Sequence, residues 1–180
     1  MDIYIIRHGR TNWNEKKIIQ GHSQNRLSKS GVEMVKKTSK ASKDIPFEII
    51  YTSPLMRAKQ TAKIMNEFHS VEIIEDRRLI EVGEGVFTKR HQKSMSDEEK
   101  YAQNVRLAGY GMESWQEVRD RAEDMVNWLK TCCPYRCVLL VTHDLPATCY
   151  EEVLLNKSAT YENREYIKDF ENAEIRHYVI

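Results

Sequence analysis

The sequence carries almost no net charge. Its 28 lysines and arginines stand against 27 aspartates and glutamates, a formal balance of +1 over 180 residues. A dedicated nucleic-acid binder shows a basic excess on its domain, so no nucleic-acid partner is expected. No apolar run is long enough to span a bilayer. The N-terminus lacks the basic segment and cleavage site of a secretory leader. A cytoplasmic protein with no membrane partner is therefore expected. Cysteine is scarce: there are four, three of them in TCCPYRC (Cys132, Cys133, Cys137). That spacing fits no common zinc pattern, and no second cluster completes one. These residues read as cytosolic thiols. No internal repeat, linker or low-complexity tract stands out. One domain over residues 1–180 is the default at this length, long enough to bury roughly 70% of its unfolded surface.

What the chain does contain is a series of short apolar runs that end in polar, chemically capable residues. The first is MDIYIIRHGRT. Ile3–Ile6 is β-branched or aromatic and reads as a strand. Its lack of polar alternation suits a strand buried on both faces of a parallel sheet. Arg7 and His8 then fall at the strand's end, with Gly9 permitting a sharp turn. Ligands of open α/β sheets bind outside the carboxyl ends of the strands, and a cation beside an imidazole there suits an anion. Further strands are expected at Phe47–Tyr51, Val71–Ile74, Val138–Val141 and Ile175–Ile180. Helices are expected at Gly31–Ala41, Pro54–Phe68, Ser114–Lys130 and Leu145–Leu155. This alternation predicts a three-layer α/β/α sandwich, with helices on both faces of a mostly parallel sheet. Two stretches, Asn12–Ser30 and Glu84–Gly111, fit neither period. They read as functional excursions over one end of the sheet.

Three more segments repeat the pattern. In YTSPLMRAKQTAKIM a strand ends near Tyr51, Ser53 sits where an N-cap belongs, and Pro54 occupies the first helical turn. Arg57 follows one turn in, where a helix N-terminus already attracts anions and a guanidinium can grip phosphate with two hydrogen bonds. In VLLVTHDLPATCYEEVL a strand runs into His143. In RRLIEVGEG, Glu81 follows Leu79 and Ile80. Taken singly, each has a plain alternative: a solvated strand end, a surface arginine, a solvated glutamate. Two strands ending in histidine by chance is the harder coincidence.

Together the four segments resemble the histidine phosphatase superfamily, which includes cofactor-dependent phosphoglycerate mutase. Arg7-His8-Gly9 matches its opening motif. Thr11 and Asn14 match Thr-x-x-Asn, and Gln20-Gly21 its Gln-Gly step. Ser53 through Ala62 matches Ser-Pro-Leu-x-Arg-Ala-x-Gln-Thr-Ala at every fixed position. Leu79 with Glu81, His143 and Asn172-Ala173 complete the order. The resemblance implies a phosphoryl-transfer site in which His8 becomes a phosphohistidine and Glu81 is the general acid. Arg7, Arg57 and His143 would hold the phosphoryl oxygens, with polar contacts from Thr11, Asn14 and Gln20. It implies no metal and no cofactor, and a small phosphorylated substrate, with a phosphoprotein left open. His8 should attack as a neutral imidazole whose second nitrogen donates to a fixed acceptor, plausibly a backbone carbonyl.

The chain departs from that pattern at several places. Arg10 replaces a glutamate after Arg-His-Gly and brings positive charge toward the pocket mouth. Ile18 stands where an arginine often precedes Gln-Gly. Phe87-Thr88-Lys89 replaces a Trp-Glu-Gly. Asp144 replaces the glycine after the late histidine, and a distant branch of the superfamily uses such an aspartate as its proton donor. Glu81 is favoured as the acid, with Asp144 as its rival. The basic run Thr88–Lys93 either meets a second anionic group on the substrate or is a solvated charge run. The expected activity is metal-independent phosphomonoester hydrolysis. The alternatives are a mutase, disfavoured because classical phosphoglycerate mutases are longer, and a weakly catalytic phosphate-binding module. Oligomeric state is not readable.

Overall fold

The computed structural model describes residues 1–157 and 169–180. Five strands form one sheet: β1 (Asp2–Arg7), β2 (Ile49–Thr52), β3 (Glu72–Glu75), β4 (Cys137–Thr142) and β5 (Ile175–Val179). Their order across the sheet is β3-β2-β4-β1-β5. Every pairing is parallel except β1 with β5. The expected mostly parallel sheet is therefore present.

The apolar runs bury both faces of each central strand. Ile3 and Ile5 of β1, Ile49 and Tyr51 of β2, and Val138 and Leu140 of β4 face one layer. Ile6, Ile50, Leu139 and Val141 face the other. The first layer is built by α5 (Trp115–Thr131) and α6 (Asp144–Leu154). Val118, Ala122, Met125, Val126 and Leu129 put a helix-period stripe of α5 on the sheet. The opposite layer is α2 (Lys29–Ala41) and α3 (Met56–Met65), through Val35, Ala58, Ala62 and Met65. No helix among the described residues is long and apolar enough to cross a membrane.

Several sequence expectations need correction. Helix α3 begins at Met56, and Leu55 is its cap, without a side-chain bond. Ser53 and Pro54 lie before the helix, and residues 66–68 form a separate 3-10 turn. The two irregular excursions each hold a helix: α1 (Asn12–Glu15) and α4 (Asp97–Asn104). Both start on capping boxes, Thr11 with Asn14 and Ser96 with Glu99. The two excursions share a small core of Ile19, Phe87 and Met95. Phe87, which replaces the expected tryptophan, is thus a packing residue. Gly9 makes no left-handed turn. Its need is space, since a Cβ there would meet Val35 Cγ2 at 2.5 Å and the Gly31 carbonyl at 2.8 Å.

Candidate active site

Parallel pairing brings the carboxyl ends of β1, β2 and β4 to one edge. Arg7 pairs with Thr142, and Thr52 with Val141. The residues that follow these strands, His8, Ser53 and His143, are all buried. Glu81 reaches the same place from β3 through a fixed lead-in. Leu79 is buried, and its carbonyl accepts from Thr142 Oγ1 at 2.7 Å. The Arg78 carbonyl accepts from Arg121 at 2.6 Å and from the Tyr150 hydroxyl at 3.1 Å. Backbone restraint on both sides thus aims the glutamate.

His8 is held between two partners. The Arg57 Nε–H donates to its Nε2 at 3.2 Å, so the proton of a neutral ring sits on Nδ1 and donates to the Gly9 carbonyl at 2.7 Å. Burial, and then the positive charges of Arg57 and Arg7, hold its pKa well below the ordinary histidine value. The ring is therefore neutral at neutral pH, with Nε2 as its basic atom. The guanidinium of Arg57 is wholly buried. Its other nitrogens donate to the carbonyls of Ser23 at 2.8 Å and Gly21 at 2.9 Å. Burial lowers its pKa to about 10, so it keeps its charge.

His143 packs edge-on against His8, with ring centroids 5.1 Å apart. Its Nε2 bonds the Ser53 hydroxyl at 2.8 Å. Its Nδ1 is buried without a hydrogen-bond partner among the described residues and lies 3.6 Å from Glu81 Oε2. Burial and the nearby cations depress its pKa as well. Glu81 lies 3.7 Å from Arg57 and accepts from the Val82 N–H at 3.0 Å. Burial is the larger effect and raises its pKa to about 7.

Arg7 is tied into the closing segment. It lies 2.9 Å from Asp144 and donates to the Phe170 carbonyl. Asp144 accepts in turn from the Phe170 N–H at 3.1 Å. Asn172 donates to the His8 carbonyl at 3.1 Å, and the Ala173 N–H to the Arg7 carbonyl at 3.1 Å.

Arg7, His8, Arg57, Glu81, His143 and Asp144 thus lie together. Thr11, Asn14 and Gln20 form an adjoining cluster, with Thr11 Oγ1 2.9 Å from Asn14 Oδ1 and 3.1 Å from Gln20 Oε1. Among the described residues their side chains bond one another rather than His8 or Arg57. Arg10 is exposed, and its carbonyl accepts from the Ser28 N–H at 2.9 Å. The basic run divides. Thr88 and Lys89 line a cavity of about 720 Å³ beside His22 and Ser23. Arg90 instead grips both oxygens of Glu99 at 2.6 and 2.9 Å. Ser53 is the residue whose site contact the sequence reading missed. The signal was its place directly after a strand, the same place that marked His8 and His143.

Ligand atoms of His8, Glu81 and His143 lie within 4.8 Å of one another, a spacing that could hold a cation. However, Arg57 stands 3.2 Å from one of these groups and 3.7 Å from another. A fixed guanidinium inside the donor set repels a cation and attracts an anion. The arrangement can therefore bind a phosphoryl group, present a neutral imidazole nitrogen to it, and hold a proton nearby.

The sequence profile of the histidine phosphatase superfamily (branch 1) matches residues 3–177. The probable phosphoglycerate mutase GpmB of Cronobacter sakazakii is 30% identical over 170 residues, covering 91% of this chain and 79% of that protein. Among solved structures, Bacillus stearothermophilus YhfR superposes with a TM-score of 0.86 at 21% identity, covering 98% of this chain and 89% of that one. A mycobacterial glucosyl-3-phosphoglycerate phosphatase solved with VO3 gives 0.83 at 22% identity, covering 98% and 90%. At such identities the two structural likenesses establish the fold. The profile, spanning the strand ends from which the site is built, establishes more: this chain belongs to the histidine phosphatase superfamily, branch 1.

Proposed function

We propose that the protein is a phosphoric monoester hydrolase that works through a phosphohistidine on His8. The observation that carries this reading is the pairing of a neutral His8, its Nε2 lone pair aimed into the site, with a glutamate whose pKa is raised to about 7. A module that only bound phosphate would need the arginines but neither of these.

The ester binds with its phosphoryl oxygens on Arg57, Arg7 and His143. With the Ser53 hydroxyl donating to Nε2, His143 carries its proton on the otherwise unpartnered Nδ1. A phosphoryl oxygen takes over the Arg57 Nε–H, which frees the His8 lone pair. His8 Nε2 then forms a bond to phosphorus as the bond to the alcohol oxygen breaks. Charge accumulating on the transferring group meets preorganised donors, commonly worth ~3–4 kcal/mol each. Glu81 gives its proton to the leaving oxygen. In the second step its carboxylate takes a proton from water as that water displaces His8 from phosphorus. Asp144 is engaged by Arg7 and the Phe170 N–H, which supports Glu81 rather than Asp144 as the acid.

Turnover of para-nitrophenyl phosphate in excess EDTA tests the reading. Wild type should turn over, and His8→Ala should lose at least about a thousandfold. Acid-labile, base-stable phosphate on quenched wild-type enzyme should be absent from the variant. Activity that survives in His8→Ala would sink the reading. The mutase alternative, raised by the name of the 30%-identical relative, predicts transfer between phosphoglycerates in preference to water.

A further inference from the structure

A second cavity, of about 320 Å³, opens beside the phosphoryl site. Asp144 and Leu145, which directly follow His143, form one wall, and Glu84, three residues beyond Glu81, forms another. The cavity is thus positioned to receive the group whose oxygen Glu81 protonates. We propose that it is the alcohol subsite and takes an uncharged, hydroxyl-rich group, as in a phosphate ester of a polyol or sugar, rather than a carboxylate or second phosphate. This rests on the phosphohydrolase reading above.

The argument is one of charge and hydrogen bonding. Among the described residues, Arg106 is the cation lining this cavity, and it is already taken. Its two terminal nitrogens lie 3.0 and 3.1 Å from the two oxygens of Glu84, with both side chains largely buried. Gln103 donates to the same carboxylate at 2.9 Å. An incoming anion would have to break that bidentate pair and leave Glu84 buried and uncompensated, a costly exchange. Asp144 is paired with Arg7 through one contact at 2.9 Å. The charges of the wall therefore close on one another, leaving Asp169 at the exposed rim. The remaining chemistry is that of amides, Gln92 and Asn104, with Gln103 already on Glu84 and the Trp115 ring facing the Arg106 guanidinium at 5.8 Å. Hydroxyls can both donate to and accept from amides. A volume of this order suits a small ligand.

The larger cavity offers less. His22 bonds the Glu81 carbonyl at 2.7 Å, and Glu113 holds Arg121 and the Gly83 N–H. These two polar side chains support the loop that carries Glu81.

Three esters that differ only in their end group test the proposal: glycerol 3-phosphate, 3-phosphoglycerate, and 1-amino-1-deoxyglycerol 3-phosphate. Their dissociation constants would be measured by calorimetry on His8→Ala, which holds the esters unhydrolysed. Glycerol 3-phosphate should bind at least about tenfold more tightly than 3-phosphoglycerate, and more tightly than the amine. Wild-type kcat/KM should follow the same order. Glu84→Gln, which releases Arg106, should reduce the discrimination against 3-phosphoglycerate several-fold. Equal or tighter binding of either charged ester, or no binding of glycerol 3-phosphate at millimolar concentration, would overturn the proposal. Loss of the para-nitrophenyl phosphate reaction with the binding order intact would instead sink the hydrolase reading and leave the subsite standing.

Discussion

At the residue scale the two carboxylates near the site have opposite fates. Glu81 is largely enclosed, and the loss of solvent raises its pKa to about 7. As an acid it must be protonated to act, so kcat should hold below pH 7 and fall as pH rises through it. His8 is held neutral far into acid and should impose no acid limb near pH 6. Glu81→Gln should slow hydrolysis of alkyl phosphates by roughly 10²–10⁴-fold and flatten the basic limb. The loss on para-nitrophenyl phosphate should be much smaller, because that leaving group departs without a proton. An equal loss on both esters would count against the assignment. Asp144, in contrast, holds Arg7 at 2.9 Å. Asp144→Asn should weaken substrate binding by about fivefold, in keeping with ~1 kcal/mol for a part-exposed pair, and leave the basic limb in place. Disappearance of that limb would make Asp144 the acid. The sequence exposed His8, Arg57, Glu81 and His143, because each stands at a junction where the local pattern changes. It did not expose the Arg7–Asp144–Phe170 contacts, since no local pattern encodes a meeting of residues 7, 144 and 170.

At the element scale, every strand end was legible to within two residues, because continuous β-branched runs have few other uses. Helix α4 was missed although Ser96 and Glu99 spell a capping box. The surrounding lysines and acids hid its single buried residue, Ala102. The start of α3 was misplaced because Ser-Pro resembles a cap, whereas Ser53 is held by His143. Close approach between elements is equally hidden in sequence. Gly31 on α2 packs so near the catalytic loop that a Cβ would lie 1.9 Å from the Arg10 carbonyl. Gly31→Ala should therefore cost about 1–3 kcal/mol through overpacking, seen as a melting temperature lower by roughly 3–10 °C. Phosphatase activity should fall with it, because the loop behind His8 must shift. A variant that melts like wild type would mean that α2 can slide without strain.

At the scale of the whole molecule, the site's proton chemistry feeds back on stability. His8 and His143 have depressed pKa values in the folded state. The unfolded chain binds protons at these positions first, so stability is full above about pH 6.5 and declines on acidification. Glu81 acts in the opposite sense. Its folded pKa is raised, so its contribution is present below about pH 4.5 and is lost as pH climbs through 7. Glu81→Gln removes that loss, so its stability relative to wild type should be greater at pH 8 than at pH 5 in urea unfolding. The reverse order would mean that Glu81 is charged in the folded protein. The strand order has a different consequence, one of timing. His8 directly follows β1, whose two neighbours are β4 and β5 from much later in the chain, and its carbonyl is held by Asn172. During synthesis His8 and its strand are made well before β4 and β5, so the strand waits for both of its partners. Such long-range pairing makes folding slow. A ribosome-bound fragment ending before β4 would therefore carry His8 unassembled, and any activity that depends on this residue could begin only as β4 and β5 dock.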